Sequence, residues 1–256
     1  EPEDNNYFSQ NTKKIYEMAK TAAKYDSTVF IQGESGVGKS NIAKFIHNES
    51  KRNDQKFVHV NCGSIPYQLI ESELFGYVKG AFTGADPSGR EGLFAEANNG
   101  TIFLDEIAEI PPEIQVKLLK AIESQQIRKV GDNSTLKINV RIIAASNKNI
   151  LKMIDENTFR EDLYYRLNVI PINLPPLHER KMDIIPLINN SIKKINSLYG
   201  INKKISPEVM NFLYDYSYPG NIRELENIIE RLIILSPNDE VVEDDVINLI
   251  HEKNNH

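Results

Sequence analysis

Two apolar spacings take turns along the first two thirds of this chain. Ile15, Met18, Ala19 and Ala22 recur at helical spacing. Thr28-Val29-Phe30-Ile31 follows as a short buried strand, and Asn41 to Asn48 reads as a helix with Ile42, Phe45 and Ile46 on one face. Lys56 to Val60 predicts a second strand, Tyr67 to Phe75 a helix, and Thr101 to Leu104 a third strand. Pro111-Pro112 can open a helix, because proline is tolerated in a first turn; the helix runs to about Ser124 with Ile114, Leu118, Leu119 and Ile122 inward. Gly131 to Ser134 reads as a hairpin turn, Val140 to Ala144 as a fourth strand and Val169 to Leu174 as a fifth. Strands alternating with helices predict an α/β fold, a parallel sheet between helices. Beyond Pro175-Pro176 only helical periodicity remains, broken near Gly200, Pro207, Pro219-Gly220 and Pro237. The expectation is therefore an α/β subdomain over residues 1–175 and a small all-helical lid over residues 176–256.

Composition narrows the class. The chain has 256 residues, of which 40% are hydrophobic, enough for one large core plus a satellite. No apolar run approaches the ~20 residues that cross a bilayer, so no membrane role is expected. The acidic, polar start EPEDNNYFSQ does not resemble a signal peptide. A single cysteine, Cys62, excludes an internal disulfide and fits a reducing, cytoplasmic compartment. A net charge of -6 disfavours direct binding to nucleic acid.

Chemistry concentrates in a few segments. Gly33-Glu34-Ser35-Gly36-Val37-Gly38-Lys39-Ser40 lies between a predicted strand and a predicted helix, the context in which this spacing binds ATP. Glycines let backbone amides curl round phosphates, and the helix N-terminus adds a favourable dipole. Lys39 would reach the outer phosphates, and the Ser40 hydroxyl would ligate Mg²⁺. Ile102 to Glu106 is an apolar strand ending in two carboxylates. Taken alone, such an ending is usually a solvated turn. Beside a phosphate loop, Asp105 would hold the metal through water and Glu106 would polarise the attacking water.

The stretch ESELFGYVKGAFTGA, Glu71 to Ala85, closely resembles the central AAA+ ATPase domain of bacterial enhancer-binding proteins, the activators of sigma-54 RNA polymerase. FVHVNCGSI, GTIFLDE, VRIIAASN, FREDLYYRLNVIPINLPPL and PGNIRELEN carry the resemblance over residues 7–250. It implies a P-loop NTPase that works as a homo-oligomeric ring, a hexamer or heptamer, with ATP between subunits. Gly80, Ala81, Phe82, Thr83, Gly84 and Ala85 would form a loop that touches sigma-54. An exposed phenylalanine between glycines fits that role, since it wastes apolar surface unless a partner covers it. Asn61 would hold Glu106 away from water until the partner engages. Asn147, after Ser146 where the family usually has threonine, would read the γ-phosphate. Arg160 and Arg166 match arginine fingers that act on the neighbouring subunit's nucleotide; the alternative for an arginine on a helix is a surface pair with Glu161 or Asp162. Arg223 matches a lid arginine that contacts the nucleotide.

Three further departures from the family pattern stand out. Tyr218 replaces a frequent tryptophan, Tyr77 a commoner histidine, and Lys129 an arginine in the hairpin that supports the contact loop. Lysine loses the bidentate fork, so weaker contacts between hairpin and loop are expected. His47, His59, His178, His251 and His256 show no metal spacing and no nucleophile partner; Cys62 reads as a small core residue. The family's sensory and DNA-binding domains are not seen, so DNA would be engaged only indirectly. The rival reading is a nucleotide-gated assembly module without productive remodelling of sigma-54.

Overall fold

A computed structural model describes residues 8–81 and 88–246. In chain order the elements begin with α1 (Gln10–Ala23), β1 (Val29–Gln32), α2 (Lys39–Asn48), β2 (Phe57–Asn61) and α3 (Ile70–Phe75). There follow β3 (Gly76–Tyr77), β4 (Arg90–Glu91), α4 (Leu93–Glu96), β5 (Thr101–Asp105), α5 (Pro112–Ser124), β6 (Gln126–Ile127) and β7 (Leu136–Lys137). β8 (Arg141–Ser146), α6 (Ile150–Asp155), α7 (Glu161–Leu167) and β9 (Ile170–Asn173) complete the α/β part. The helical part holds α8 (Ile184–Tyr199), β10 (Lys204–Ile205), α9 (Pro207–Asp215), α10 (Asn221–Leu235) and β11 (Glu240–Val241).

Five strands form one parallel sheet in the order β2-β5-β8-β1-β9. β8 is buried at every position, the continuous pattern of a strand covered on both faces. Phe30, Ile102, Leu104, Ile142 and Ala144 pack with Leu118 and Ile122 of α5 and Leu163 of α7 in one core. Register brings Asn61 opposite Asp105 and Gln32 opposite Ser146, so the chemistry-bearing residues gather at the carboxyl edge of the sheet. The helix expected from Tyr67 begins only at Ile70, because Leu69 N–H and Ile70 N–H first close a turn on the Pro66 carbonyl.

The second core joins Leu177, Ile184 and Ile188 to Leu213, Leu225, Ile229 and Leu232. Buried Ile222, Leu225, Ile228, Ile229, Leu232 and Ile233 make one stripe of α10 at three- and four-residue spacing. Tyr218 is buried in this core, with its hydroxyl donating to the Leu213 carbonyl at 2.6 Å, so tyrosine packs there without loss of a polar partner. β10 and β11 pair in parallel inside this helical part; two residues are too few to leave an alternating signal. Contacts divide the chain into two compact units. One contains residues 15–33 and 39–174. The other contains Pro175 onward together with residues 34–38 and the described residues before Ile15.

Candidate functional site

Residues 34–38 belong to the unit that holds the helical lid, and the lid's bonding to them decides which way they face. Asn221 Nδ2 donates to the Ser35 carbonyl at 3.1 Å and to Glu34 Oε2 at 2.9 Å. The backbone N–H groups of Ile222 and Arg223 donate to the Gly36 carbonyl at 3.0 and 3.3 Å. Arg180 Nη2 donates to the Val37 carbonyl at 2.7 Å. A trans peptide points its C=O and the following N–H in opposite directions. Three successive carbonyls are thus held on one side, and the amides of Gly36, Val37 and Gly38 are turned to the other. That row of N–H groups is an anion nest. Gly36 and Gly38 adopt φ of 77° and 101°, values that glycine reaches without a Cβ penalty. Arg223 Nη1 donates to Ser35 Oγ at 3.0 Å, and a cavity of about 500 Å³ is lined by Glu34, Ser35, Arg223, Asn227 and Arg231.

Within the α/β unit, Lys39 opens α2 with its side chain buried and its Nζ donating to the Gly33 carbonyl at 2.9 Å. Ser40 Oγ donates to Asp105 Oδ2 at 3.5 Å. Asp105 Oδ1 accepts from the Glu106 amide at 2.9 Å. Burial pushes the Asp105 carboxyl up, but the His59 ring, the Glu106 amide and the Lys39 charge together hold it below the usual carboxylate range. Glu106 sits at φ 53°, ψ 44°, left-handed backbone that costs a non-glycine residue ~1–2 kcal/mol. Strain of this kind collects where function requires a particular side-chain position.

Asn61 Oδ1 accepts from the Ser64 amide at 3.1 Å and caps the turn at Cys62–Ser64. A Cβ placed on Gly63 would lie 2.3 Å from Glu106 Oε2 and 3.4 Å from Asn61 Oδ1, so the glutamate carboxylate and the asparagine carbonyl converge on that glycine. His59, set aside in the sequence, stands beside the site: its Nε2 lies 3.7 Å from Asp105 Oδ2, and its ring packs on Phe103 at 4.8 Å. The signal that finds it is the strand period of two, which puts His59 and Asn61 on the same face of β2. Cys62 is buried, and burial pushes its thiol up, as expected of an inert core residue.

Other expected site residues are placed as follows. Asn147 is exposed one residue beyond β8, while the buried Ser146 hydroxyl closes the local turn by accepting from the Lys148 amide at 3.0 Å. Arg160 and Arg166 are both exposed at α7; Arg160 forks onto Asp162 at 3.0 and 2.7 Å. β3 and β4 pair antiparallel, Gly76 opposite Glu91 and Tyr77 opposite Arg90, on either side of the segment expected to form the contact loop. Gly80 and Ala81 are described there; Phe82, Thr83, Gly84 and Ala85 lie outside the described residues. The supporting hairpin reaches the loop through its backbone: Val78 N–H donates to the Val130 carbonyl at 3.1 Å, and Val130 N–H to the Gly76 carbonyl at 2.8 Å. These bonds are made by the backbone, and the side-chain contacts expected between Lys129 and the loop tip fall on residues outside the described ones.

Ser40 and Asp105 supply hard oxygen donors and an ionised carboxylate, the set that suits a Mg²⁺ whose remaining ligands come from phosphate and water. Among the described residues no helix is long and apolar enough to cross a membrane.

The profile of the sigma-54 interaction domain matches residues 7–173, and that of the AAA+ ATPase lid domain matches residues 178–256. A protein of Pseudomonas sp. (strain NS671), named "Uncharacterized protein in HyuA 5'region", is 50% identical over 89% of this chain and 77% of its own length. The "Signal-transduction and transcriptional-control protein" of Clostridium beijerinckii is 50% identical over 90% of this chain, which spans only 37% of that protein. The crystal structure of NtrX from Brucella abortus in complex with ADP superposes with a TM-score of 0.84 at 37% identity, covering 93% of this chain and 53% of that one.

Proposed function

The chain belongs to the family of sigma-54 interaction domains, ATP-binding AAA+ domains followed by a helical lid, and on that premise we propose that it hydrolyses ATP in a ring and uses the energy to remodel sigma-54 RNA polymerase. The observation that carries the hydrolytic part is the meeting of the Ser40 hydroxyl with the Asp105 carboxylate, with Glu106 next in sequence in a strained backbone conformation.

The amides of Gly36, Val37 and Gly38 bind phosphate oxygens, and Lys39 exchanges its bond to the Gly33 carbonyl for one to the outer phosphates. The Ser40 hydroxyl and, through a water, the Asp105 carboxylate would hold Mg²⁺, which would supply positive charge beside the phosphates. Glu106 accepts a hydrogen bond from the attacking water, and Asn61 withholds it until the partner is engaged. Asn147 reads the γ-phosphate. Arg223 contacts the nucleotide from the lid and couples the chemistry to lid position.

Arg160 and Arg166 act on the nucleotide of the adjoining copy. Their exposure on α7 supports this, because an exposed Arg160–Asp162 pair contributes little and is readily exchanged for phosphate. An arginine supplied in trans is worth ~10³–10⁵ in rate. The loop at Gly80 to Ala85 then carries the motion to sigma-54, through Phe82 and Thr83.

The test is phosphate release against protein concentration. Specific activity should rise with concentration and vanish in Glu106→Gln while ATP binding persists. Turnover that is full in a lone protomer sinks the shared site. Nucleotide-dependent assembly with no turnover at any concentration sinks hydrolysis and leaves the nucleotide-gated module in its place.

A further inference from the structure

Resting on the reading that residues 33–40 bind phosphate, we propose that Arg180 is a positioning residue of the phosphate loop and that Asp183 is its anchor. Arg180 interrupts the turn Leu177–Asp183 at φ -129°, ψ 50°, and its side chain is only 6% exposed. One arm of the guanidinium, Nη2, donates to the Val37 carbonyl at 2.7 Å. The other arm, Nη1, lies 3.8 Å from Oδ2 of Asp183, which is fully buried. Asp183 is fixed in turn from the N-terminal segment: its Oδ1 accepts from the Ser9 amide at 2.6 Å, and its Oδ2 accepts from the Thr12 hydroxyl.

Burying a guanidinium and a carboxylate is costly unless each is paired and hydrogen-bonded, so this arrangement needs a return. The bond to Val37 supplies one. The carbonyl of residue 37 and the amide of Gly38 share a peptide plane and point opposite ways, so a guanidinium holding the carbonyl aims the Gly38 N–H into the nest. Of the three outward carbonyls, Ser35 and Gly36 are held by the start of α10, and Val37 by Arg180. Without Arg180 that peptide is free to turn, and ordering it again on binding opposes nucleotide affinity. In this role Arg180 acts through the Val37 carbonyl.

The experiment compares wild type with Arg180→Gln, Arg180→Lys and Asp183→Asn by calorimetric titration with Mg-ADP, by steady-state ATPase kinetics, and by melting of the nucleotide-free chain. Arg180→Gln should weaken ADP binding about 10–100-fold, the range of one charge-assisted hydrogen bond. KM for ATP should rise by a similar factor, while kcat at saturation falls much less. Arg180→Lys should lie between, because an ammonium can reach the carbonyl but cannot fork to Asp183 as well. Asp183→Asn should shift ADP affinity in the same direction by a smaller factor.

A lower melting temperature with unchanged ADP affinity would mean a purely structural ion pair and would overturn the proposal. If Arg180→Gln fails to fold, Arg180→Lys and Asp183→Asn decide by the same ADP criterion. A wild type that binds ADP but neither hydrolyses ATP nor acts on sigma-54 polymerase defeats the function proposed above and leaves this comparison intact.

Discussion

Gly36→Ala should cost both phosphate binding and stability, and the structure sets the size of the loss. Gly36 stands at φ 77°, where an alanine pays ~1–2 kcal/mol for its Cβ. The Cβ would also arrive 2.4 Å from the carbonyl oxygen of Gly220 and 3.1 Å from Cβ of Arg223. The first neighbour is backbone and must retreat by about 1 Å before ordinary van der Waals contact returns. That retreat moves the start of α10 and stretches the two bonds from Ile222 and Arg223 to the Gly36 carbonyl. Each such bond contributes ~0.5–1.5 kcal/mol. The combined loss is about 2–5 kcal/mol, which is roughly 30- to a few-thousand-fold in affinity if it falls on the bound state. If it falls on the folded state it lowers the melting temperature on the order of 5–15 °C.

Gly63→Ala is the control. Its Cβ would come just as close, 2.3 Å, but to Oε2 of Glu106, the free end of a flexible side chain. The carboxylate can swing aside at little cost, so ADP affinity and melting should match wild type and any effect should be confined to turnover. Mant-ADP titration and differential scanning calorimetry on the two variants separate these outcomes. Wild-type ADP affinity in Gly36→Ala, or equal loss of stability in both variants, would refute the reasoning from neighbour type.

Three further outcomes are expected. Arg160→Ala should retain ATP binding and lose the rise of ATPase activity with concentration, and mixing it with Glu106→Gln should restore part of the activity if each copy completes its neighbour's site; a mixture as inactive as its parts counts against arginine supply in trans. Thr83→Ala should spare hydrolysis and abolish open-complex formation by sigma-54 polymerase, and parallel loss of both would undo the division between loop and pocket. Asp105 is held below its ordinary pKa of 3.8, so its ionised form favours the folded state above that value and the contribution disappears as pH falls below it. The stability gap between wild type and Asp105→Asn, read by urea unfolding, should therefore be constant from pH 5 to 7 and close in stronger acid; a gap closing between pH 5 and 7 would contradict the assigned shift.

What could be read from the sequence depended on how far apart the interacting residues stand. The turn after β1 and the Asp105-Glu106 ending of β5 were legible as local structure because each is a local event, a strand running into glycine or into carboxylates. The two-residue strands β10 and β11 were not, since a period of two needs several residues to register. Val37 and Arg180 are 143 residues apart, and no local pattern announces that bond. Yet it leaves a trace in the lid. Leu177, Ile184 and Ile188 are buried apolar positions at sequence spacings that suggest a helix, and Arg180 falls in register with them, three residues after Leu177 and four before Ile184, although the backbone kinks at Arg180 itself. A guanidinium on an inward position requires a buried acceptor, because nothing else offsets its desolvation. Asp183, three residues on, is one such acceptor; the second was the carbonyl of a loop that the sequence had marked only for its amides. Charged residues among buried apolar positions therefore carry long-range information that periodicity averages away, and in this chain Arg180, at the start of the lid, leads to the loop expected to hold the phosphates.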